Sequence, residues 1–165
     1  RACSLASGRT SSFYIDCRLT TMSADGLVLI GRVGLQAIRR ARWSPRSVGG
    51  LTMGADPVAY AIAAASAAAP PRIDAFSVRK EAKTHGTGRR VEGNFSAGSA
   101  VVVVEDVITT GGSALKAIEV IREEGGTVIG VLAVVDREEG GRAALEAAGV
   151  DVVAITTATK LGLRA

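Results

Sequence analysis

Two adjacent carboxylates, followed by small and hydroxylated residues, form the part of the sequence best suited to chemistry. Glu105 and Asp106 come directly after four valines, and residues 109–112 (T-T-G-G) lead into a predicted helix that opens at Ser113. Glycines let backbone N–H groups face an anion, and a helix N-terminus adds partial positive charge. The loop therefore fits one phosphate, and the acids fit sugar hydroxyls or a divalent cation nearby. Together they predict a site for a 5-phosphoribosyl group.

Other glycine-rich loops fit this stretch less well. It has neither the G-x-x-x-x-G-K-[ST] pattern of a Walker loop nor the G-x-G-x-x-G pattern of a dinucleotide site. An ordinary strand–turn–helix with a glycine-rich turn is the remaining alternative. Adjacent acids followed by T-T-G-G-S, directly after the valines, favour a ligand site over that alternative.

A second candidate segment is strongly cationic. Residues 79–90 carry one acid, Glu81, and five basic residues, which gives a segment charge of +4, the same as the formal net charge of the whole chain: Arg79, Lys80, Lys83, Arg89 and Arg90. A cationic segment on an otherwise neutral chain favours a small polyanion held at one place, although a solvated charged loop is the alternative. Residues 80–98 show little periodicity and are predicted to be a long mobile loop of the kind that often forms a lid.

The rest of the chain alternates between strand and helix patterns. The predicted strands cover residues 47–52, 73–78, 100–104, 127–135 and 151–155. The predicted helices cover residues 23–41 (capped by Ser23 or Asp25), the run from the cap Asp56 and first position Pro57 to Pro70, and residues 113–124 and 141–148. This order predicts an α/β fold with a mostly parallel central sheet and helices on both faces.

Length and composition bound the remaining possibilities. The chain has 165 residues, 47% hydrophobic and 22% charged, which predicts a single domain over residues 1–165. Cys3 and Cys17 are too few for a metal finger or disulfide scaffold, so we expect free thiols in a reducing cytoplasm. The longest uncharged stretch, residues 57–71, is too short to span a membrane. The chain starts at Arg1, and we expect a missing N-terminal element.

Several motifs resemble a known family. Residues 101–113 resemble the phosphoribosyl-pyrophosphate motif of type I phosphoribosyltransferases, and residues 79–86 (R-K-E-A-K-T-H-G) resemble the mobile catalytic loop of the orotate branch. Residues 12–16 with Arg18 resemble that branch's orotate-contacting segment, and residues 54–57 (G-A-D-P) resemble its turn near the pyrophosphate site. Asp136 and Arg137 resemble the stretch that carries its base-side arginine. The resemblance covers nearly the whole chain.

The resemblance implies the type I phosphoribosyltransferase fold and a specific reaction. 5-Phosphoribose would pass from phosphoribosyl pyrophosphate to orotate, giving orotidine 5′-phosphate and pyrophosphate, a step of de novo pyrimidine (UMP) synthesis. Magnesium would be bound mainly through phosphoribosyl pyrophosphate. By similarity Glu105 and Asp106 hold the ribose hydroxyls, and the 5′-phosphate is held by Thr109, Thr110, Gly111, Gly112 and Ser113. Val107 and Ile108 complete the predicted binding set for phosphoribosyl pyrophosphate.

The resemblance also assigns the leaving group and the base. Matches to the positions that grip pyrophosphate are Arg79, Lys80, Lys83 and His85, of which Arg79, Lys83 and His85 are the catalytic candidates. We expect Lys83 to stabilise the leaving group and His85 to hydrogen-bond a phosphate. The alternatives for His85 are an ordinary solvated loop histidine and a general acid. Matches to orotate contacts are Thr109, Arg137, Tyr14 and Ile15. The alternatives are a surface arginine in the D-R-E-E turn for Arg137, and ordinary core residues for Phe13 and Tyr14.

The resemblance also implies which partners the protein has. A homodimer is implied, with loop residues acting across the interface, and neither nucleic acid nor membrane is expected as a partner. Ala6 stands where many members carry a basic residue.

Two alternative functions remain open. One is phosphoribosyl transfer to another base, and the other is a regulatory module that senses phosphoribosyl pyrophosphate, which the pI near 9.5 mildly favours. No helix-turn-helix or RNA-binding signature supports the regulatory alternative.

Overall fold

The computed structural model describes residues 13–81 and 89–163, and of the preceding segment the two short strands β1 (Cys3–Ser4) and β2 (Thr10–Ser11), which pair antiparallel. The central sheet contains β3 (Ser47–Leu51), β4 (Asp74–Val78), β5 (Val91–Gly93), β6 (Ala100–Ile108), β7 (Thr127–Asp136) and β8 (Val152–Thr157). Its spatial order is β5-β4-β3-β6-β7-β8, and all neighbours are parallel except β5, which runs antiparallel to β4.

Helices cover both faces of this sheet. They are α1 (Arg18–Thr21), α2 (Ala24–Arg40), α3 (Ala55–Ala68), α4 (Gly112–Glu123) and α5 (Gly141–Ala147). Alternation along β6 sends Val101 and Val103 into the core beneath α4 and α5, and Val102 and Val104 into the core beneath α2 and α3. A strand buried on both faces needs such a continuous apolar run. The predicted fold class is confirmed.

The first correction concerns where β6 ends. The sequence analysis stopped this strand at residue 104, but pairing with β7 continues to Ile108, opposite Asp136. Glu105 and Asp106 therefore lie within the strand rather than after it. Ladder hydrogen bonds to β7 hold the carboxylates in extended backbone, which their own low strand propensity does not indicate.

Two further corrections concern the neighbouring elements. Helix α3 begins at Ala55 after Gly54, so Asp56 lies inside the first turn and is not the cap. The stretch predicted as one loop over residues 80–98 contains β5, whose Val91 is buried opposite Val78 of β4. Helix α4 starts one residue earlier than predicted, at Gly112, and α1 was not predicted at all.

Among the described residues, no helix combines the length and apolarity needed to cross a bilayer.

Candidate active site

A cavity of about 590 Å³ opens where the carboxyl ends of the parallel strands meet. Open α/β sheets bind ligands at this edge, because the loops that follow the strands converge there. Strands β3, β4, β6 and β7 all lead into it. The lining residues are Tyr14, Ile15, Asp16, Arg18, Met53, Gly54, Lys80, Glu105, Asp106, Val107, Ile108, Thr109, Thr110, Gly111, Gly112, Ser113, Ala114 and Arg137.

The loop after β6 has the geometry of an anion cradle. Gly111 has φ of 84° and, as the N-cap residue, has no side chain with which to cap the helix that begins at Gly112. The N–H groups of the first helical turn, at Gly112 and Ser113, are therefore left to meet whatever enters the cavity, and the helix dipole favours an anion there. A Cβ at position 111 would lie 3.0 Å from the carbonyl oxygen of Gly141, so glycine fits both the conformation and the space.

Glu105 is an ionisable group in a nearly dry environment. It is 5% exposed, and its Oε1 is buried with no hydrogen-bond partner among the described residues. Burial, with a smaller contribution from the charge of Asp106, raises the pKa of Glu105 to about 8. A buried carboxyl oxygen without a partner at the cavity wall is suited to a ligand hydroxyl, which would satisfy it.

Asp106 is half-buried beside Glu105. Burial raises its pKa, against the lowering effect of the hydrogen bond that Val107 N–H donates to its Oδ1 at 2.8 Å. The turn after β3 passes so close that a Cβ on Gly54 would lie 2.7 Å from Asp106 Oδ1. This close approach brings the loops after β3 and β6 together at one point.

Arg137 lies at the other side of the cavity, immediately after β7. Its side chain is 2% exposed, its guanidinium carbon lies 4.5 Å from the centre of the Phe13 ring, and its Nη2 is 2.7 Å from Glu139 Oε1. Nη2 also donates to the Phe13 carbonyl at 3.3 Å. The surface-arginine alternative is therefore wrong. Stacking and pairing hold the planar guanidinium in one orientation at the cavity wall.

The segment before α1 forms the outer wall. Tyr14 is 57% exposed, which excludes the core-packing alternative for this residue. Asp16 accepts three hydrogen bonds from Arg18, from Nε at 2.8 Å, from Nη2 at 3.0 Å and from the backbone N–H at 3.1 Å. This pairing lowers the pKa of Asp16 and raises that of Arg18.

The cationic candidates are distributed unevenly. Lys80 lines the cavity, whereas Arg79 points to Glu92, with Nε 3.0 Å from Oε1 in an exposed ion pair. Exposed pairs of this kind are weak and exchange easily. Lys83 and His85 lie outside the described residues, as does Ala6.

The described residues would suit magnesium that arrives with a ligand. No group of three His, Cys, Asp or Glu side chains that could hold a metal occurs in the part of the chain that the structure describes. The carboxylates Glu105 and Asp106 do line the cavity. Magnesium usually keeps several waters and binds one or two carboxylates plus substrate phosphates, and this donor set meets that requirement.

The structure thus brings together most of the predicted site residues and adds some. Of the described candidates only Arg79 is outside the cavity lining. Asp16 and Arg18 were recognised only as part of a motif, and Met53 and Ala114 were not singled out. The position of Met53, directly before the G-A-D-P turn, is the signal that could have identified it.

Comparisons with known proteins agree with this geometry. Residues 26–154 match the phosphoribosyl transferase domain family. The chain is 46% identical to the orotate phosphoribosyltransferase of Aquifex aeolicus over 157 residues, covering 95% of this chain and 85% of that protein. For the Rhodopirellula baltica orotate phosphoribosyltransferase the identity is 42%, over 96% of this chain and 84% of that protein.

A solved structure gives the same result. The crystal structure of Mycobacterium tuberculosis orotate phosphoribosyltransferase in complex with 5-phospho-α-D-ribosyl 1-diphosphate superposes with a TM-score of 0.79 and 44% identity, covering 92% of this chain and 84% of that one. Similarity of sequence and fold extends over nearly the full length of this chain, and the domain match covers residues 26–154. The chain therefore belongs to the phosphoribosyltransferase family and, within it, to the orotate phosphoribosyltransferases.

Proposed function

We propose that this chain, as one phosphoribosyltransferase domain, transfers 5-phosphoribose from phosphoribosyl pyrophosphate to orotate, giving orotidine 5′-phosphate and pyrophosphate. The observation that carries the proposal is the pairing, in one cavity, of an uncapped helix N-terminus with two adjacent carboxylates. The first suits a phosphate and the second suits ribose hydroxyls. Both belong to one continuous segment, β6 and the loop after it.

The sugar phosphate would be bound by that segment. The backbone N–H groups and hydroxyls of residues 109–113 would hold the 5′-phosphate. Asp106 and Glu105 would accept or donate hydrogen bonds at the two ribose hydroxyls. The ligand hydroxyl would then give the buried Oε1 of Glu105 the partner that it lacks among the described residues. These contacts fix the anomeric carbon between the base side and the pyrophosphate side of the cavity.

Breaking the bond to pyrophosphate places positive charge on the ribose ring and negative charge on the leaving group. Preorganised cations near the pyrophosphate lower this barrier most effectively where water is excluded. Lys80 lines that side, and Arg79 could join it by leaving its exposed pair with Glu92. We assign stabilisation of the leaving group chiefly to Lys83, and a phosphate hydrogen bond to His85. A closing cationic loop would supply both charge and shielding.

Magnesium would accompany phosphoribosyl pyrophosphate and neutralise part of its charge. Asp106 is the half-buried carboxylate available to complete its coordination shell, whereas burial raises the pKa of Glu105 and makes it the poorer metal ligand of the two. The protein's part is to orient the sugar and the leaving group around this charge.

Orotate would occupy the side of the cavity next to β7. The guanidinium of Arg137 could pair with the polar edge of the ring, with Thr109, Tyr14 and Ile15 around it. Stacking on Phe13 restricts the guanidinium and reduces the entropy lost on binding.

A base-preference assay tests the function directly. The protein is incubated with magnesium, labelled phosphoribosyl pyrophosphate and, separately, orotate, uracil, adenine or hypoxanthine. We expect turnover with orotate only. Turnover with another base alone would replace orotate by that base, and absence of turnover with all four would refute phosphoribosyl transfer to these bases.

We also propose a homodimer in the cytoplasm. Helix α2 exposes large apolar side chains, Leu27, Val28, Leu29 and Val33, next to an apolar cavity of about 640 Å³ between α2 and α3. Exposed apolar patches of this kind are typical of protein interfaces. The buried free thiol of Cys17 suits a reducing compartment.

A further inference from the structure

A network of hydrogen bonds around Asp56 joins the turn after β3 to the end of β4. Asp56 Oδ2 accepts from Thr52 Oγ1 at 2.6 Å, and Oδ1 accepts from Ser77 Oγ at 2.7 Å. Because Ser77 uses its hydrogen on Asp56, Tyr60 O–H is left to donate to Ser77 Oγ at 3.0 Å. Each oxygen of the Asp56 carboxylate thus accepts a hydrogen bond from a hydroxyl, one located just after β3 and the other near the end of β4.

The two segments that Asp56 joins both lead into the cavity. Thr52 is followed by Met53 and Gly54, which line it, and Ser77 lies three residues before Lys80, which lines it too. A backbone hydrogen bond from Thr52 N to Val78 O at 2.9 Å runs alongside. Asp56 itself is not among the lining residues, so it could act on a ligand only through these neighbours.

We propose that Asp56 is a positioning residue for the pyrophosphate half of phosphoribosyl pyrophosphate. It holds the turn at Thr52–Gly54 and the backbone that carries Lys80 at a fixed separation. The inference rests on the proposed function for the identity of the ligand. It assigns to Asp56 a role in substrate affinity in place of the helix cap that the sequence indicated.

The chemistry of the carboxylate explains why an aspartate is needed. Only an ionised carboxylate accepts from two hydroxyls at once with both oxygens, and such charge-assisted bonds are short and strong. In Asp56→Asn one oxygen becomes an NH₂ donor, so one of the two hydroxyls loses its acceptor. The backbone hydrogen bond from Thr52 N to Val78 O would remain, but the turn and the strand end would be held together less firmly. Small displacements of a positioning group have large effects on binding and rate.

Kinetics of four variants test the inference. We expect Asp56→Asn and Thr52→Val to raise the KM for phosphoribosyl pyrophosphate roughly tenfold, while the KM for orotate changes less than about twofold. Thr52→Ser keeps the hydroxyl and should retain the wild-type value. The matched control is Ser66→Ala, which removes a buried hydroxyl that joins the same helix to the start of β4, bonding Ala63 O at 2.8 Å and Ile73 N at 2.9 Å.

Ser66→Ala separates positioning from stability. It should lower the unfolding midpoint at least as much as Asp56→Asn without a change in either KM. Two results would overturn the inference. One is an equal change of KM for both substrates in Asp56→Asn, and the other is a rise of the KM for phosphoribosyl pyrophosphate in Ser66→Ala as large as that in Asp56→Asn.

Direct binding separates this inference from the proposed function. Calorimetric titration with magnesium and phosphoribosyl pyrophosphate needs no base and no turnover. If the wild-type chain binds the ligand but does not use orotate, the proposed function fails, and a roughly tenfold weaker affinity of Asp56→Asn still supports the positioning role. If the two proteins bind the ligand equally, the positioning role fails whatever the base assay shows.

Discussion

Glu105 couples the site to the stability of the fold. Burial raises its pKa to about 8 from an ordinary value of 4.5, so between these pH values the folded protein keeps a proton that the unfolded chain releases. Folded protein then binds more protons than unfolded protein, and the free energy of unfolding must fall as pH rises through this interval, levelling off above it. Burial of Glu105 therefore lowers the free energy of unfolding at alkaline pH, where the side chain must be ionised in the folded protein.

We expect Glu105→Gln to remove this dependence. The amide cannot ionise, so the variant should gain stability relative to wild type as pH rises from about 4.5 to about 8, while losing phosphoribosyl transfer. Urea unfolding in buffers spanning the interval measures the first effect. The exposed Glu119 on α4 gives the control Glu119→Gln, which should follow the wild-type curve. A constant difference between Glu105→Gln and wild type across the interval would contradict the raised pKa.

Arg137 permits a test of the base side. Removing a charge-assisted hydrogen bond costs about 1.5–3 kcal/mol, so Arg137→Ala should raise the KM for orotate by roughly 10- to 100-fold. The KM for phosphoribosyl pyrophosphate should change far less. Steady-state kinetics with each substrate varied in turn measure both constants.

The control for the buried Arg137 is Arg142, a partly exposed arginine outside the cavity lining. Arg142 pairs with Asp136, its Nε lying 3.1 Å from Oδ2, and its Nη1 donates to Val152 O at 2.6 Å. Arg142→Ala should lower the unfolding midpoint and leave the ratio of the two KM values unchanged. Equal changes of both constants in Arg137→Ala would count against an orotate contact.

At the scale of elements, the loop between β6 and α4 depends on glycine. Gly111→Ala forces a side chain into a backbone with φ of 84° and brings its Cβ within 3.0 Å of Gly141 O. The left-handed conformation alone costs about 1–2 kcal/mol. We expect the variant to be less stable and to bind phosphoribosyl pyrophosphate at least about tenfold more weakly, because the N–H groups of the cradle must shift.

Gly98→Ala separates these two effects. Gly98 has nearly the same conformation, φ of 80°, but a Cβ there would meet nothing within 4 Å, and it does not line the cavity. Its stability loss should be comparable or smaller, as measured by thermal unfolding, and its ligand affinity by calorimetry should be unchanged. A similar fall in affinity for both variants would show that destabilisation alone weakens binding.

Elements whose signals are local could be predicted from the sequence. Ser23 was one of two candidates for the cap of α2, and it is the residue that accepts from Gly26 N, at 3.1 Å. The valine run of β6 predicted a doubly buried strand, and T-T-G-G-S predicted the loop after it. These features depend on propensities and spacings that a few neighbouring residues determine.

Elements that depend on partners far away in the chain could not be predicted from the sequence. β5 forms because Val91 pairs with Val78, and the last residues of β6 stay extended because β7 runs beside them. Asp56 looked like a cap because local pattern places an acid before an alanine-rich helix, whereas its partners include Ser77, 21 residues away. Pairings across the fold override local preference in each case.

At the scale of the whole molecule, the proposed dimer with a shared loop makes a quantitative prediction. Lys83→Ala and Asp106→Ala should each inactivate the protein when present in both subunits. In a mixed dimer, if each loop acts on the partner's site, one site combines the intact Asp106 with the intact Lys83 and the other carries both defects. The mixed dimer should then recover about half of the wild-type rate.

The mixed species can be made by co-expressing the two variants with different affinity tags and purifying on both. Activity with orotate is compared with each parent variant and with doubly tagged wild type. An inactive mixed dimer would mean that the loop serves its own subunit, since each site would then carry one defect. Failure to recover any doubly tagged wild-type species, together with a single-chain mass by analytical ultracentrifugation, would contradict the homodimer itself. The apolar side chains of Leu27, Val28 and Leu29, whose exposure supports the homodimer, would then remain uncovered by a second copy.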